Sequence, residues 1–373
     1  MLNELGIYIH IPFCKQKCYY CDFVSYSNKC SEVKEYIESL KKEIEEFDFS
    51  NYKVTSIYIG GGTPSYIDSI YIVEILSELK EKLKCNLIEF KDIEITIEVN
   101  PGTVDTKKLN DYKKSGINRL SIGLQSTKND ILKKIGRIHT YQEFLEIYKL
   151  ARETGFKNIN IDLMIGIPGQ KIGDLKNTLQ DIIKLEPEHI SVYSLIIEEN
   201  TPIEKMLENG EIKLPDEDLE RNMYWYVKNT LELNGYNHYE ISNFCLENYQ
   251  SKHNLKYWQC KEYLGIGPSA HSFIDGERFY YKNSINDFLS GCEIVKDGNG
   301  GSIEEYCMLA LRLSSGLDNS EFLKKFNCNI PHKYFKKAKE MEKYGVVKCE
   351  DNKIKLTDKG FLLSNSIILN IIY

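Results

Sequence analysis

The sequence has no surplus of positive charge, no leader-like start and no apolar run long enough to cross a bilayer. Its 373 residues carry a net charge of −7, which argues against a general nucleic-acid or anionic-membrane surface. The opening MLNELGIYIHIPF lacks the basic segment, apolar stretch and small-residue cleavage site of a secretory signal. At the other end, FLLSNSIILNIIY is too short for a span and is broken by Ser and Asn. The expected compartment is therefore the cytoplasm. Its 11 cysteines are not expected to form disulfides there. Cys30, Cys85, Cys245, Cys260, Cys292, Cys307, Cys328 and Cys349 are scattered and expected to be buried thiols.

Three other cysteines are not scattered. Residues 14–23 read CKQKCYYCDF, which sets Cys14, Cys18 and Cys21 at spacing C-x3-C-x2-C. A tetrahedral zinc site would need a fourth ligand, for which Cys30 or His10 could be proposed. A [4Fe–4S] cluster on three thiolates would instead keep one iron free for an exchangeable ligand.

Six β-rich runs alternate with helical patterns: residues 6–11, 56–60, 93–99, 119–124, 159–165 and 189–195. They are mostly apolar on both faces, as buried parallel strands should be. After Ser31, a candidate N-cap, apolar residues fall at Val33, Tyr36, Ile37, Leu40, Ile44 and Phe47, which is helical spacing. Similar patterns occupy 67–83, 105–114, 141–154 and 172–185. The order predicts an α/β fold, a parallel sheet wrapped by helices as an open sheet or partial barrel. After a polar segment, 197–218, a helix carries Leu219, Met223, Tyr226 and Val227 on one face and stops at Gly235. YEISNF (239–244) predicts a strand, and YLGIGPSAHSF (263–273) a Gly-rich turn. From about 303, helices lead into a hairpin at 346–357, an α+β unit resembling a small winged-helix module. No basic recognition helix stands out in it. The expected organisation is a core of residues 1–200, an extension of 201–300 and a C-terminal domain of 301–373.

Active sites of parallel β/α arrays form at the C-terminal ends of the strands. Those six ends hold the cysteine loop, GGGTPS (60–65), Glu98 with Asn100, Gln125, Asp162 followed by GIPGQ (166–170), and Ser194 followed by Glu198, Glu199 and Asn200. The three glycines allow close backbone approach to a small polar ligand. The turn lacks the Lys-Ser/Thr ending of a P-loop. By itself such a turn is more often a tight connection.

CKQKCYYC, preceded by YIHIPF and followed by GGGTPS, resembles the radical S-adenosylmethionine (SAM) superfamily. The likeness is strongest to the branch of oxygen-independent coproporphyrinogen III oxidases and their heme-chaperone relatives. It runs from YIHIPFC to LTDKGFLLSN, through YEISNF, HNLKYWQ (253–259) and YLGIGPSAHSF. The resemblance implies a partial (β/α)6 barrel in which Cys14, Cys18 and Cys21 ligate three irons and SAM chelates the fourth. Tyr8 would lie beside the cluster. Gly61, Gly62 and Thr63 would supply backbone contacts to SAM, and Glu98, Gln125, Arg137 and Asp162 further contacts. A bidentate Arg137 and hydroxyl-accepting Glu98 and Asp162 suit those roles.

Two functions of different class follow from the resemblance: a radical oxidase of coproporphyrinogen III, and a heme chaperone that hands heme to an acceptor protein. The oxidases carry a cysteine two residues after the third, where this sequence has Phe23, and an extension before the first strand. Both differences favour the chaperone. HNLKYW resembles a heme-binding motif, which makes His253 the candidate axial ligand, with Tyr257 and Trp258 stacking on the porphyrin. His271 is a weaker candidate, and His10 is expected beside the cysteines as a packing residue. The implied partners are heme, an acceptor protein and an electron donor for the cluster, with no nucleic acid and with a homodimer left open. A zinc-dependent nucleic-acid module in the C-terminal segment is the remote third reading.

Overall fold

The structure is a computed structural model that describes residues 2–84, 90–350 and 352–373. Six strands follow the expected runs: β1 (Asn3–Ile11), β2 (Tyr52–Gly61), β3 (Glu94–Val99), β4 (Arg119–Gln125), β5 (Ile159–Ile165) and β6 (His189–Ser194). They lie side by side in sequence order and all parallel. Between them run α1 (Val33–Glu46), α2 (Ser69–Leu83), α3 (Thr106–Ser115), α4 (Asn129–Lys134), α5 (Tyr141–Glu153) and α6 (Ile172–Ile183).

The expectation of strands apolar on both faces is corrected. Side chains alternate across a strand, and only one face joins the large apolar core. Leu120, Ile122 and Leu124 of β4, Ile95 and Ile97 of β3, and Ile161 and Leu163 of β5 pack there with Ile37 and Leu40 of α1 and Leu76 of α2. The alternate positions are buried but polar: Ser56, Thr96, Arg119, Ser121, Asn160 and His189. They bond across the strands, as Ser121 Oγ does to Asp162 Oδ2 (3.1 Å) and Asn160 Nδ2 to Ser121 Oγ (2.8 Å). The hydrogen bonds offset the desolvation that buried polar groups would otherwise cost.

The helical expectations hold within a few residues, and α1 buries Val33, Tyr36, Ile37, Leu40 and Ile44. Ser31 is not its N-cap. It sits in a 3-10 turn, Cys30–Glu32, and makes no capping bond. The polar segment after β6 contains an unforeseen helix, Pro202–Glu208. The helix at Glu217–Leu233 is present, and Gly235 follows it at φ +86°.

Two further expectations change. YEISNF is not one strand. It spans a tight hairpin of β7 (Asn237–Glu240) and β8 (Asn243–Cys245), with β8 antiparallel to β6. The Gly-rich 263–273 is mostly strand: β9 (Glu262–Ile266) pairs parallel with β1, and β10 (His271–Ile274) turns back on it. With β11 (Glu277–Tyr281) and β12 (Ile294–Asn299) the sheet has twelve strands, in the order β12-β11-β10-β9-β1-β2-β3-β4-β5-β6-β8-β7. It is open, with antiparallel strands at both edges. Gly265 permits the β9–β10 turn, because a Cβ there would lie 2.2 Å from the His271 carbonyl oxygen.

The C-terminal segment carries the helices Ile303–Ala310, Asn319–Phe326 and His332–Glu342, then the hairpin Val347–Glu350 and Lys353–Leu356. The short strand Leu317–Asp318 completes a three-stranded sheet. Its core of Leu311, Phe322, Tyr334, Ile354 and Ile368 also takes in Tyr263 and Phe273 from β9 and β10. Of the scattered cysteines, Cys245, Cys260 and Cys307 are buried, but Cys30 and Cys328 are exposed, against expectation. Cys85 lies outside the described residues. No helix among the described residues is long and apolar enough to cross a membrane.

Candidate functional site

The C-terminal ends of β1 to β6 surround a cavity of about 410 Å³, in the size range of a cofactor site. The cysteine loop forms one wall. Its start is fixed by backbone bonds from Cys14 N–H to the Tyr26 carbonyl (3.0 Å) and from Tyr26 N–H to that of Pro12 (2.7 Å). Its middle is tied to the segment after α4 by Tyr19 N–H donating to Ile135 (3.0 Å). Cys14 is buried and Cys18 and Cys21 half-buried, and all three line the cavity. Thr63 donates to Cys14 Sγ (3.4 Å) and Arg137 to Cys18 Sγ (3.6 Å). Burial pushes the Cys21 thiol up to about 11 and raises that of Cys14. Both are neutral at pH 7 until a metal displaces their protons. Among the described residues, no three His, Cys, Asp or Glu side chains converge tightly enough to hold one ion. Thiolates of an iron–sulfur cluster bind separate irons, so they need no such convergence.

GGGTPS lies directly against the cysteines. A Cβ at Gly62 would stand 2.9 Å from Cys14 Sγ, and 3.0 Å from the Phe13 carbonyl oxygen. The turn thus brings peptide groups where side chains could not fit. Glu98, on the polar face of β3, accepts from Tyr58 Oη (2.9 Å) and Gly61 N–H (3.2 Å). Burial, and the nearby Asp162 charge, push its carboxyl up to about 7; the Tyr58 and Gly61 bonds oppose that rise. Asp162 is raised too, chiefly by burial, against the bonds of Asn160 and Ser121. Arg137 donates to the Gly123 carbonyl (2.6 Å) and Asn100 Oδ1 (2.8 Å).

Gln125 has φ +67°, at an irregularity in the β4–β5 register. Such a kink re-aims a side chain at the end of a strand. Gln125 Oε1 and Arg137 Nε are buried without a partner among the described residues. Buried polar atoms left unpaired are costly, so both fit a ligand with a donor and an acceptor to offer. The donor set and the orphaned atoms together fit a cluster-bound SAM.

Seven of the eight expected SAM residues line this cavity: Gly61, Gly62, Thr63, Glu98, Gln125, Arg137 and Asp162. Tyr8 does not. Its ring stacks on Tyr58 (6.3 Å) and its hydroxyl meets His10 Nδ1 (3.0 Å), one layer behind the wall. His10 is buried, its Nε2 bonded to the Val24 carbonyl (2.8 Å), and burial lowers it to about 4. GIPGQ and Glu198–Asn200 stay outside the lining. Gln170 instead folds onto the Ile167 N–H and the Met164 carbonyl. Residue types alone missed Tyr58 and Tyr193, which line the cavity. Their signal is position, one on the polar face of β2 and one on that of β6.

The expected heme residues lie elsewhere. The helix Lys252–Trp258 is capped by Ser251, and His253 on it is 1% exposed. Its Nδ1 meets Ser56 Oγ (3.0 Å) and its Nε2 the Tyr257 hydroxyl (2.9 Å). Its ring stacks on Tyr58 at 5.3 Å, and it does not line the cavity. Burial, with Lys256 and Arg119 nearby, lowers it to about 3. Trp258 is half-buried under the Arg312 guanidinium (6.0 Å). His271 is exposed and stacked on Tyr280 at 4.8 Å.

The family model of the radical SAM superfamily matches residues 8–182, and that of the HemN C-terminal domain residues 302–363. The heme chaperone HemW of Lactococcus lactis is 36% identical over 96% of this chain and 95% of its own. That of Bacillus subtilis is 33% identical over 96% of this chain and 97% of its own. Coproporphyrinogen III oxidase (HemN) from Escherichia coli superposes with a TM-score of 0.83, covering all of this chain and 90% of its own. At 23% identity that likeness concerns the fold.

Proposed function

The chain belongs to the HemW family within the radical SAM superfamily, and we propose that it is a heme chaperone, binding heme and passing it to an acceptor protein. The observation that carries this reading is the cavity at the cysteine loop, with its orphaned Gln125 and Arg137 atoms, in a chain aligned end to end with heme chaperones. Phe23, where the oxidases have a cysteine, supports the chaperone over the oxidase.

In this reading Cys14, Cys18 and Cys21 hold three irons of a [4Fe–4S] cluster. When bound, the cluster supplies a reducing electron and an open iron for the amino and carboxylate groups of SAM. The chain's own residues orient the rest of SAM. Glu98 and Asp162 accept hydroxyl hydrogen bonds. Arg137 donates to an anionic oxygen, Gln125 offers a free carbonyl, and the Gly61–Thr63 backbone closes on the cofactor. The acceptor protein, an electron donor and a cytoplasmic location belong to the same proposal. His253 could ligate heme only after releasing Ser56 and Tyr257, which requires the helix Lys252–Trp258 to move away from β2.

The test is anaerobic reconstitution, then heme titration and a coproporphyrinogen turnover assay on one sample. Stoichiometric heme binding without turnover is the expected outcome. Efficient formation of protoporphyrinogen overturns the chaperone in favour of the oxidase. A His253→Ala variant with unaltered heme affinity and spectrum removes His253 as the ligand.

A further inference from the structure

The cysteine-loop cavity carries Glu98, Gln125, Arg137 and Asp162 on its walls and two large apolar side chains at its mouth. Phe23 and Ile138 both line the opening, and both stand in solvent with 63% and 51% of their surface exposed. They come from different segments. Phe23 lies on the cysteine loop, and Ile138 follows Arg137 after α4. The two segments are tied beneath the rim by Tyr19 N–H to the Ile135 carbonyl (3.0 Å) and by the Gln16 amide to that of Gly136 (3.4 Å). The apolar pair is thus held on a fixed rim. Large apolar groups exposed together cost hydration free energy and mark contact surfaces.

Charge at the rim narrows the occupant. Lys15 and Lys17 line the same opening. Lys17 Nζ is drawn to the Phe23 carbonyl (2.9 Å), which keeps its ammonium close to Phe23. Lys15 is exposed, and no partner engages its ammonium among the described residues. Asp22 is the one acid of residues 14–23 and does not line the opening. In a chain of net charge −7, this is a local reversal of sign. Such reversals steer an anionic ligand to one place on an otherwise repelling surface.

A ligand that satisfies the rim has a broad apolar face and anionic groups at its edge. We propose that heme docks across the cavity mouth, its macrocycle on Phe23 and Ile138 and its carboxylates on Lys15 and Lys17, above the SAM site. The proposal rests on the heme-chaperone reading and adds where heme first binds. The rim is open in the fold as it stands, whereas His253 is sealed by Ser56 and Tyr257. Heme seated there also shields the cavity beneath from water.

The test uses the anaerobic holo-protein with cluster and SAM, titrated with heme and read by Soret absorbance. Iron and sulfide content on the same samples reports cluster integrity. Phe23→Asp with Ile138→Asp is expected to weaken heme binding by about tenfold or more. Ile138→Asp alone, outside the cysteine loop, is expected to weaken it several-fold. Lys15→Glu is expected to weaken it and to flatten its dependence on ionic strength. Unchanged heme affinity in the cluster-loaded Ile138→Asp and double variants overturns the docking site and turns the rim over to a protein partner. A wild-type holo-protein that binds no heme overturns the chaperone reading itself.

Discussion

Glu98→Gln is expected to stabilise the cofactor-free protein, by more as the pH rises. The carboxyl sits on the polar face of β3, facing the Asp162 charge, and its folded pKa is raised from 4.5 to about 7. Between those values the folded state holds a proton that the unfolded chain has released. Stability contributed by a protonated Glu98 is therefore present below 4.5 and is lost as pH rises through about 7. A rise of that size corresponds to about 3 kcal/mol at most. Water in the open cavity reduces it, so a gain of about 1–2 kcal/mol is expected at about pH 8, and almost none at about pH 4.5. Tyr58 and Gly61 donate to different oxygens of the carboxylate, so the single amide oxygen keeps one of these bonds while the side chain loses its charge. Urea unfolding of the two apo proteins across this pH range measures the difference. A gain independent of pH, or a loss at about pH 8, refutes the reasoning. In the holo-protein the same substitution is expected to weaken SAM binding, because a charged carboxylate is the stronger acceptor.

Gly62→Ala is expected to lower cluster content severely, since its Cβ would meet Cys14 Sγ at 2.9 Å; iron and sulfide per chain after reconstitution check this. Arg137→Lys loses the fork whose one arm reaches Cys18 and whose other reaches Gly123 and Asn100, and SAM affinity measured by calorimetry is expected to fall about tenfold or more. Gly265→Ala would drive a methyl group into the His271 carbonyl and is expected to cost about 2 kcal/mol or more, read as a lowered melting temperature with β9 and β10 weakened.

The six parallel strands were legible because each run is short, rich in apolar residues and followed by a helix of regular spacing, although only alternate positions join the core. The cysteine loop was legible because ligand spacing is local. Gly62 was not legible in the same way, because its need for a missing side chain comes from Cys14 Sγ and the Phe13 carbonyl, far away in sequence. Less legible were the elements whose role depends on distant partners. YLGIGPSAHSF contains turn residues, yet Leu264 and Ile266 are strand because β1 offers them an unpaired edge. YEISNF reads as one strand until β6 supplies the register that breaks it in two.

Sequence by itself determined the chemistry available: three thiols at cluster spacing, a glycine turn, two carboxylates at strand ends and an arginine beyond α4. It did so because ligand type and spacing are properties of the chain. Tertiary structure decided which of these meet. It drew Arg137 from beyond α4 to Cys18, set Tyr58 between Glu98 and His253, and left Tyr8 a layer behind. It also closed His253 between its helix and β2 and left Phe23 in solvent. Burial and hydrogen-bond partners across strands are set by packing between segments far apart in sequence, and no local pattern carries them.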